Sequence, residues 1–272
     1  EMVGEPNRGL QAMFAMMNNA RLGVGTQGVA HGAAALRLAE AYAAQRVQGG
    51  RTIAEHPDVA RMLMEMRAST LASRLIMLEA AVAADKAELL GDAAASARLA
   101  LLIPVLKAWA TDRGVETASI GVQVHGGMGF IEDTGAAQVL RDARIAPIYE
   151  GTNGIQAIDL LTRKLARDGG AEMRSLIAEI AALPDARLRA AAEGLARTTE
   201  AVLEVQGRDA EASQSLATAY LDAVGWVLGG ALLARAAAAD GAAYGAVADF
   251  YLRRLLPRAG ARFAEIEGAM AA

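Results

Sequence analysis

Cysteine is absent from the 272-residue sequence. That absence removes disulfide frameworks, thiolate nucleophiles and Cys-ligated zinc or iron–sulfur centres together. Histidine occurs three times, with no H-E-x-x-H pair, so a zinc-hydrolase pattern is excluded as well. There is no excess of positive charge: 27 Lys+Arg against 31 Asp+Glu leave a net charge of -4, and a nucleic-acid backbone has no general basic surface to meet. No N-terminal basic-apolar-small pattern suggests export. Arg, Asp or Glu interrupts every alanine-rich stretch, so no apolar run is expected to span a bilayer. A cytoplasmic protein is the expectation.

Aromatic residues make up only 4% of the chain, and runs of β-branched or aromatic residues, which strands need, are missing. What is present is Ala, Leu, Met, Arg and Glu, all strong helix formers. Hydrophobic residues at 54% against 21% charged provide enough apolar area to offset chain entropy. The expected fold is all-α: an antiparallel helical bundle over 1–167, then a second small helical bundle over 168–272.

Helices are expected over 11–46, 57–90, 93–124, 134–144, 154–167, 171–206, 210–239 and 242–269. Gly49-Gly50 closes the first of these, and Pro57 opens the second at a first-turn position where its missing N–H costs nothing. Val59, Met62, Leu63 and Met66 follow at the spacing of one buried face. Pro104 predicts a kink in the third. Arg167-Asp168-Gly169-Gly170 marks the expected boundary. Beyond it, Tyr220, Val224, Val227, Leu228 and Ala231 share one helical face, and Val247, Phe250, Tyr251 and Leu255 share another.

Two segments could carry chemistry. In Gln123-x-x-Gly126-Gly127-x-Gly129-Phe130, three glycines in four residues are expected to end the helix and form a shaped loop. Peptide N–H groups there can approach a phosphate, and Gln123 adds an amide; an ordinary connection between helices fits the spacing too. The second segment sets Glu150 between Pro147-Ile148-Tyr149 and Gly151-Thr152. A carboxylate among apolar neighbours is expected to lose hydration and to titrate higher, as a base near neutral pH. A role for Glu150 at the N-terminus of the next helix is the alternative. His125 has no second ligand nearby, and Met13, Met16 and Met17 read as core filler.

Taken in order, the pieces resemble the C-terminal helical domain of the acyl-CoA dehydrogenase family over residues 1 to about 167. They are Val3-Gly4-Glu5-Pro6-Asn7-Arg8-Gly9-Leu10, Asn18-Asn19-Ala20-Arg21, Arg46, Glu55-His56-Pro57, the Gln123-Phe130 segment, Arg141-Asp142-Ala143-Arg144-Ile145, and Tyr149-Glu150-Gly151-Thr152-Asn153-Gly154-Ile155-Gln156. The continuation resembles the additional C-terminal helical domain of long bacterial members. The sequence departs from the family pattern at Asn18, where Asp is usual, and at Gly49, where an aromatic is usual.

The resemblance implies FAD as cofactor and an acyl-CoA thioester as substrate. It implies that Glu150 is the base removing the α-proton while the β-hydrogen leaves as hydride to flavin, with the Glu150 peptide N–H among the enolate donors. It further implies that Arg46 meets the flavin pyrophosphate, that Gln123, Gly126 and Gly127 contact the cofactor of a neighbouring subunit, and that Thr152 and Asn153 lie beside the flavin. Asn18, Arg21 and Gly151 match positions near the substrate. An ion-paired Arg21 and an Arg46 that ends its helix are the plainer alternatives. A homo-oligomer, dimer before tetramer, and an electron-transfer flavoprotein as acceptor are implied too. The family's N-terminal and middle domains have no counterpart here, so this chain alone is expected to be inactive. A non-catalytic assembly module and an acyl-CoA oxidase are the competing functions.

Overall fold

The computed structural model describes residue 2 and residues 4–271; Val3, in the first motif, lies outside the described residues. The fold is all-α apart from one two-residue hairpin. Helix α1 (Gly9–Gln45), α2 (Pro57–Leu90) and α3 (Ala93–His125) form the first bundle. A short α4 (Gly127–Phe130), α5 (Ala136–Ala143) and α6 (Asn153–Asp159) follow. From α6 the chain runs through a π-helical stretch, Leu160–Leu165, into α7 (Ala166–Asp168). The second bundle comprises α8 (Ala171–Ala181), α9 (Ala186–Arg208), α10 (Ala210–Ala239), α11 (Gly241–Arg254) and α12 (Pro257–Met270).

Glycine spacing lets α1 lie unusually close to its neighbours. A Cβ at Gly28 would come within 2.5 Å of the Ala110 carbonyl, one at Gly114 within 2.6 Å of the Gly28 carbonyl, and one at Gly25 within 2.5 Å of Leu106. The backbones of α1 and α3 therefore touch, and a single methyl group here would force them apart. The two bundles are joined in the same manner: Trp109 of α3 lies against Gly225 of α10, where a Cβ would stand 2.2 Å from the indole. Trp109 and Trp226 meet edge to face at 5.1 Å. One apolar core thus runs from Ile76 and Leu106 through Leu160 to Leu195, Val227 and Tyr251.

Several expectations are corrected. Gly49-Gly50 does not end α1, which stops at Gln45; the two glycines form the turn of a hairpin pairing Val47 with Thr52 and Gln48 with Arg51. Both have positive φ, +62° and +80°, as a type I′ turn requires. The helix expected over 171–206 is two, because Pro184 intervenes and Asp185 caps α9 by accepting from the Arg187 and Leu188 N–H groups. The helix expected over 242–269 also divides, at Leu255-Leu256, where Pro257 starts α12. Met13 and Met16 are exposed, 40% and 66%, so they are not core filler. Finally, α3 and α10 do satisfy the length and hydropathy of a membrane span, yet 61% and 89% of their most apolar windows are buried within the protein. Their apolarity serves the shared core.

Candidate active site

The chain turns sharply after α5. The Ile148 and Tyr149 N–H groups both fold back onto the Ile145 carbonyl, at 2.9 and 3.2 Å, and the Asn153 N–H reaches the Pro147 carbonyl at 3.0 Å. Between these bonds Glu150 and Gly151 adopt left-handed φ values of +56° and +83°. Glycine tolerates this region, whereas for glutamate it costs about 1 kcal/mol or more. A side chain at position 151 would be strained by that φ, and its Cβ would lie 2.8 Å from the Gln156 amide nitrogen, which would have to move.

The helix that begins here is capped by Thr152, whose hydroxyl accepts from the Ile155 N–H at 3.3 Å. Capping therefore does not explain Glu150. Among the described residues its carboxylate has no hydrogen bond or ion pair, and no protein acceptor takes its peptide N–H. The side chain is half-buried, not enclosed as the apolar context suggested. Its neighbours Ile148 and Ile155 are themselves about half exposed, so they form an open rim.

Beneath the turn lies a polar layer inside the bundle. Lys107 of α3 is fully buried and donates to the Gly151 carbonyl at 2.8 Å and to Asn153 Oδ1 at 2.9 Å. Asn153 Nδ2 donates in turn to the Ala108 carbonyl, Thr111 Oγ1 and Asp112 Oδ1. The buried Gln156 amide donates to the Glu150 and Gly151 carbonyls, each at 3.3 Å. Burial pushes the Lys107 ammonium down to about 8 and the Asp112 carboxyl up. Arg21 also belongs to this layer: it is buried, paired with Asp159 at 3.2 Å, and passes under Gly151. The guanidinium of Arg21 is thus ion-paired within the protein. Asn153 is likewise committed to α3. Asn18 stands half-buried one turn before Arg21 on α1.

A second cluster forms where α3 ends. The helix continues through His125, farther than a loop over 123–130 allowed, and only Gly126 breaks it, with φ +61° and ψ -141°, a region closed to other residues. Gly127 to Phe130 then make a single helical turn. Gly129 is needed for close approach, since its Cβ would lie 2.3 Å from the Val122 carbonyl. Gly126 and Gly127 face open space. With Arg46, Tyr42, Gln48 and His125 they line a recess of about 390 Å³. His125 is buried there, stacked on Tyr42 at 4.5 Å and bonded through Nδ1 to the Gly121 carbonyl at 2.7 Å. Arg46 ends α1, as its plainer reading held, and is also exposed, with no ion pair among the described residues. An exposed guanidinium beside two unobstructed glycine peptides suits an anionic group such as a pyrophosphate. Gln123 is exposed and outside the lining; its carbonyl accepts the Gly126 N–H at 3.0 Å.

Residues 7–165 match the family model for the acyl-CoA dehydrogenase C-terminal domain. The chain belongs to the acyl-CoA dehydrogenase family. Residues 170–272 match the model described as acetyl-CoA dehydrogenase C-terminal like. Among similar proteins is the 3-methylmercaptopropionyl-CoA dehydrogenase of Ruegeria pomeroyi, 39% identical over 97% of this chain and 51% of its own length. Another is the broad-specificity linear acyl-CoA dehydrogenase FadE5 of Mycobacterium tuberculosis, 32% identical over 81% of this chain and 38% of its own. Among solved structures, Caenorhabditis elegans ACDH-11 in complex with C11-CoA superposes with TM-score 0.79 at 25% identity, over 93% of this chain and 45% of that one. The chain spans about half the length of the first of these relatives. Within this acyl-CoA dehydrogenase segment, Arg46, Gln123, Gly126 and Gly127 lie at the surface of the bundle and Glu150 at its rim, whereas Arg21 and Gln156 are buried. Lys107 and Asp112 were missed, and Gln156 entered only as the end of a motif, with no role of its own. The one available signal was a lone lysine inside the apolar stretch from Leu101 to Ala110.

Proposed function

We propose that this chain is the C-terminal helical part of a flavin-dependent acyl-CoA dehydrogenase and that Glu150 is its base. The observation that carries the reading is the left-handed Glu150, whose carboxylate and peptide N–H have no hydrogen-bond partner among the described residues. A strained residue with free reactive groups needs a use. The carboxylate takes the α-proton of an acyl-CoA thioester, and the Glu150 N–H donates to the thioester oxygen as negative charge develops there. Bound FAD supplies a hydride acceptor for the hydrogen leaving the β-carbon. Gly151, lacking a side chain, leaves the backbone open to the acyl group.

Arg46, Gly126 and Gly127, with Gln123 at their margin, would hold the anionic part of the cofactor, and Thr152 would border its ring. Asn153 would serve this site by fixing the turn. A Bacillus anthracis acyl-CoA dehydrogenase complexed with FAD shares the fold, with TM-score 0.78 at 22% identity over 98% of this chain and 51% of that one. In this reading the protein is a homo-oligomer, dimeric first and tetrameric second, passing electrons to an electron-transfer flavoprotein, and the isolated chain does not turn over.

Two experiments test the reading. Incubating the chain with excess FAD and separating it by gel filtration should yield a dimer-sized peak without flavin. Stoichiometric flavin in that peak would show that Arg46 and the Gly126-Gly127 recess suffice. The complete enzyme should oxidise an acyl-CoA with an electron-transfer flavoprotein as acceptor; oxygen consumption in its place would favour an oxidase, and no flavin reduction would favour a non-catalytic module.

A further inference from the structure

Nothing in the reaction proposed above requires a lysine inside the bundle, yet Lys107 has no exposed surface at all. Burying an ammonium is costly unless it is paired, and among the described residues no carboxylate lies within ion-pair distance of it. Its two hydrogen bonds both go to the turn that carries Glu150, one to the Gly151 carbonyl and one to Asn153. Satisfying that carbonyl is not reason enough, because the Gln156 amide already reaches it at 3.3 Å. A methionine would fill the same length between Leu106 and Ala108 without a buried charge. The lysine therefore does something for the turn that packing and carbonyl satisfaction do not.

We propose that Lys107 is a positioning residue, which grips the Gly151 carbonyl and, through Asn153, locks the left-handed Glu150-Gly151 turn so that the Glu150 carboxylate is held in one orientation. The inference rests on the reading of Glu150 as the base. Two consecutive left-handed residues, one of them not glycine, persist only when their surroundings over-determine them. Charge-assisted hydrogen bonds from an ammonium are roughly twice as strong as neutral ones. Asn153 extends the grip, since its Oδ1 accepts from Lys107 while its Nδ2 is tied to Ala108, Thr111 and Asp112 on the same turn of α3. The charged groups that act on Lys107 are Asp112 on its own helix, Arg21 of α1, and Glu150 on the turn. Asp159 of α6 is engaged by Arg21. With burial setting the ammonium to about 8, its grip weakens across the mildly alkaline range, and the turn loosens with it.

The chain has only three lysines, Lys86, Lys107 and Lys164, which makes the test direct. In a chain carrying 13Cε-lysine and 15N labels, one of three lysine signals should titrate about two pH units below the others and vanish in Lys107→Met. The Gly151 and Asn153 amide signals should move with that same midpoint in the wild type and should not in Lys107→Met. In the complete enzyme, Lys107→Met should lower kcat by about 10- to 100-fold, the scale of a misplaced catalytic group, with KM and flavin content within about twofold. The alkaline inflection of kcat near pH 8 should disappear, and Lys107→Gln should recover part of the rate. Amides at 151 and 153 that ignore the lysine titration, or wild-type kcat in Lys107→Met, would overturn the proposal. Should Lys107→Met fail to fold, the wild-type amide titration decides alone. Full activity of Glu150→Gln would instead overturn the base assignment, and the amide result would still stand.

Discussion

Before Gly169 the protein buries Arg21, Lys107, Arg113 and Asp159, together with Gln156, His125 and several hydroxyls; after it, the only buried polar side chains apart from aromatic ones are Thr198, Thr199 and Ser213, among the described residues. The two threonines each return their hydroxyl to the carbonyl four residues back, at 2.9 and 2.7 Å, and Thr199 also meets the Tyr220 hydroxyl at 2.8 Å, so they add local bonds and one link from α9 to α10 but no buried charge. The first bundle's buried groups differ in kind. Arg21, Lys107, Gln156 and Asp159 gather beneath the Glu150-Gly151 turn, whereas His125 belongs to the recess beside Arg46 and Arg113 lies against the Trp109 and Trp226 rings. Buried charge reduces stability unless it is fully paired, and here it is concentrated where chemistry is expected. The second bundle carries the ordinary stabilising core, Tyr220, Val227 and Tyr251 included, and it reaches the first through the Trp109–Trp226 contact.

That division can be broken experimentally. The largest effect should follow Trp226→Ala. The ring meets Trp109 edge to face and lies under the guanidinium groups of Arg113 and Arg258 at 4.5 and 5.0 Å, so its removal should cost about 3–5 kcal/mol in a urea titration. Because the core is shared, one cooperative transition is expected; two separate transitions would show that the bundles unfold independently. Asp159→Ala, which leaves Arg21 buried without its carboxylate, should cost about 3 kcal/mol or more, whereas replacing both members by well-packed apolar residues should recover most of it.

A pH effect of intermediate size should separate the bundles further. The ammonium of Lys107 is held down to about 8 in the fold against an unfolded value of about 10.4. Between those limits the unfolded chain binds more protons, so stability should rise as pH goes from 8 to 10. Thermal melts of the wild type should show this rise and melts of Lys107→Met should not. The smallest expected effect belongs to Thr152→Ala, which removes the α6 cap and should lower stability by about 1 kcal/mol.

Helical class, the long helices and the two chemical segments were legible because each has a local cause. Pro57 does start α2, Gly91 ends it with a left-handed φ of +64°, and the face from Tyr220 to Ala231 is buried throughout. What escaped depends on register or on distant partners. Gly49-Gly50 reads as a helix end, because a two-residue strand on either side leaves no run of β-forming residues to mark a hairpin. The break at Pro184-Asp185 sits inside a span of helical composition that reads as one helix. The Lys107 layer could not be read, because Gly151 and Asn153 lie more than forty residues away along the chain, and only the close approach of the loop to α3 unites them.

The central claim is that Glu150 removes a proton from an acyl-CoA. It is tested most directly by mixing the complete, FAD-loaded enzyme with an acyl-CoA under anaerobic single-turnover conditions and following flavin absorbance in the wild type and in Glu150→Gln. Bleaching should slow by about 10²- to 10⁴-fold in Glu150→Gln while acyl-CoA affinity and thermal stability hold. Bleaching at the wild-type rate in Glu150→Gln would contradict that claim and return the turn to a purely structural part.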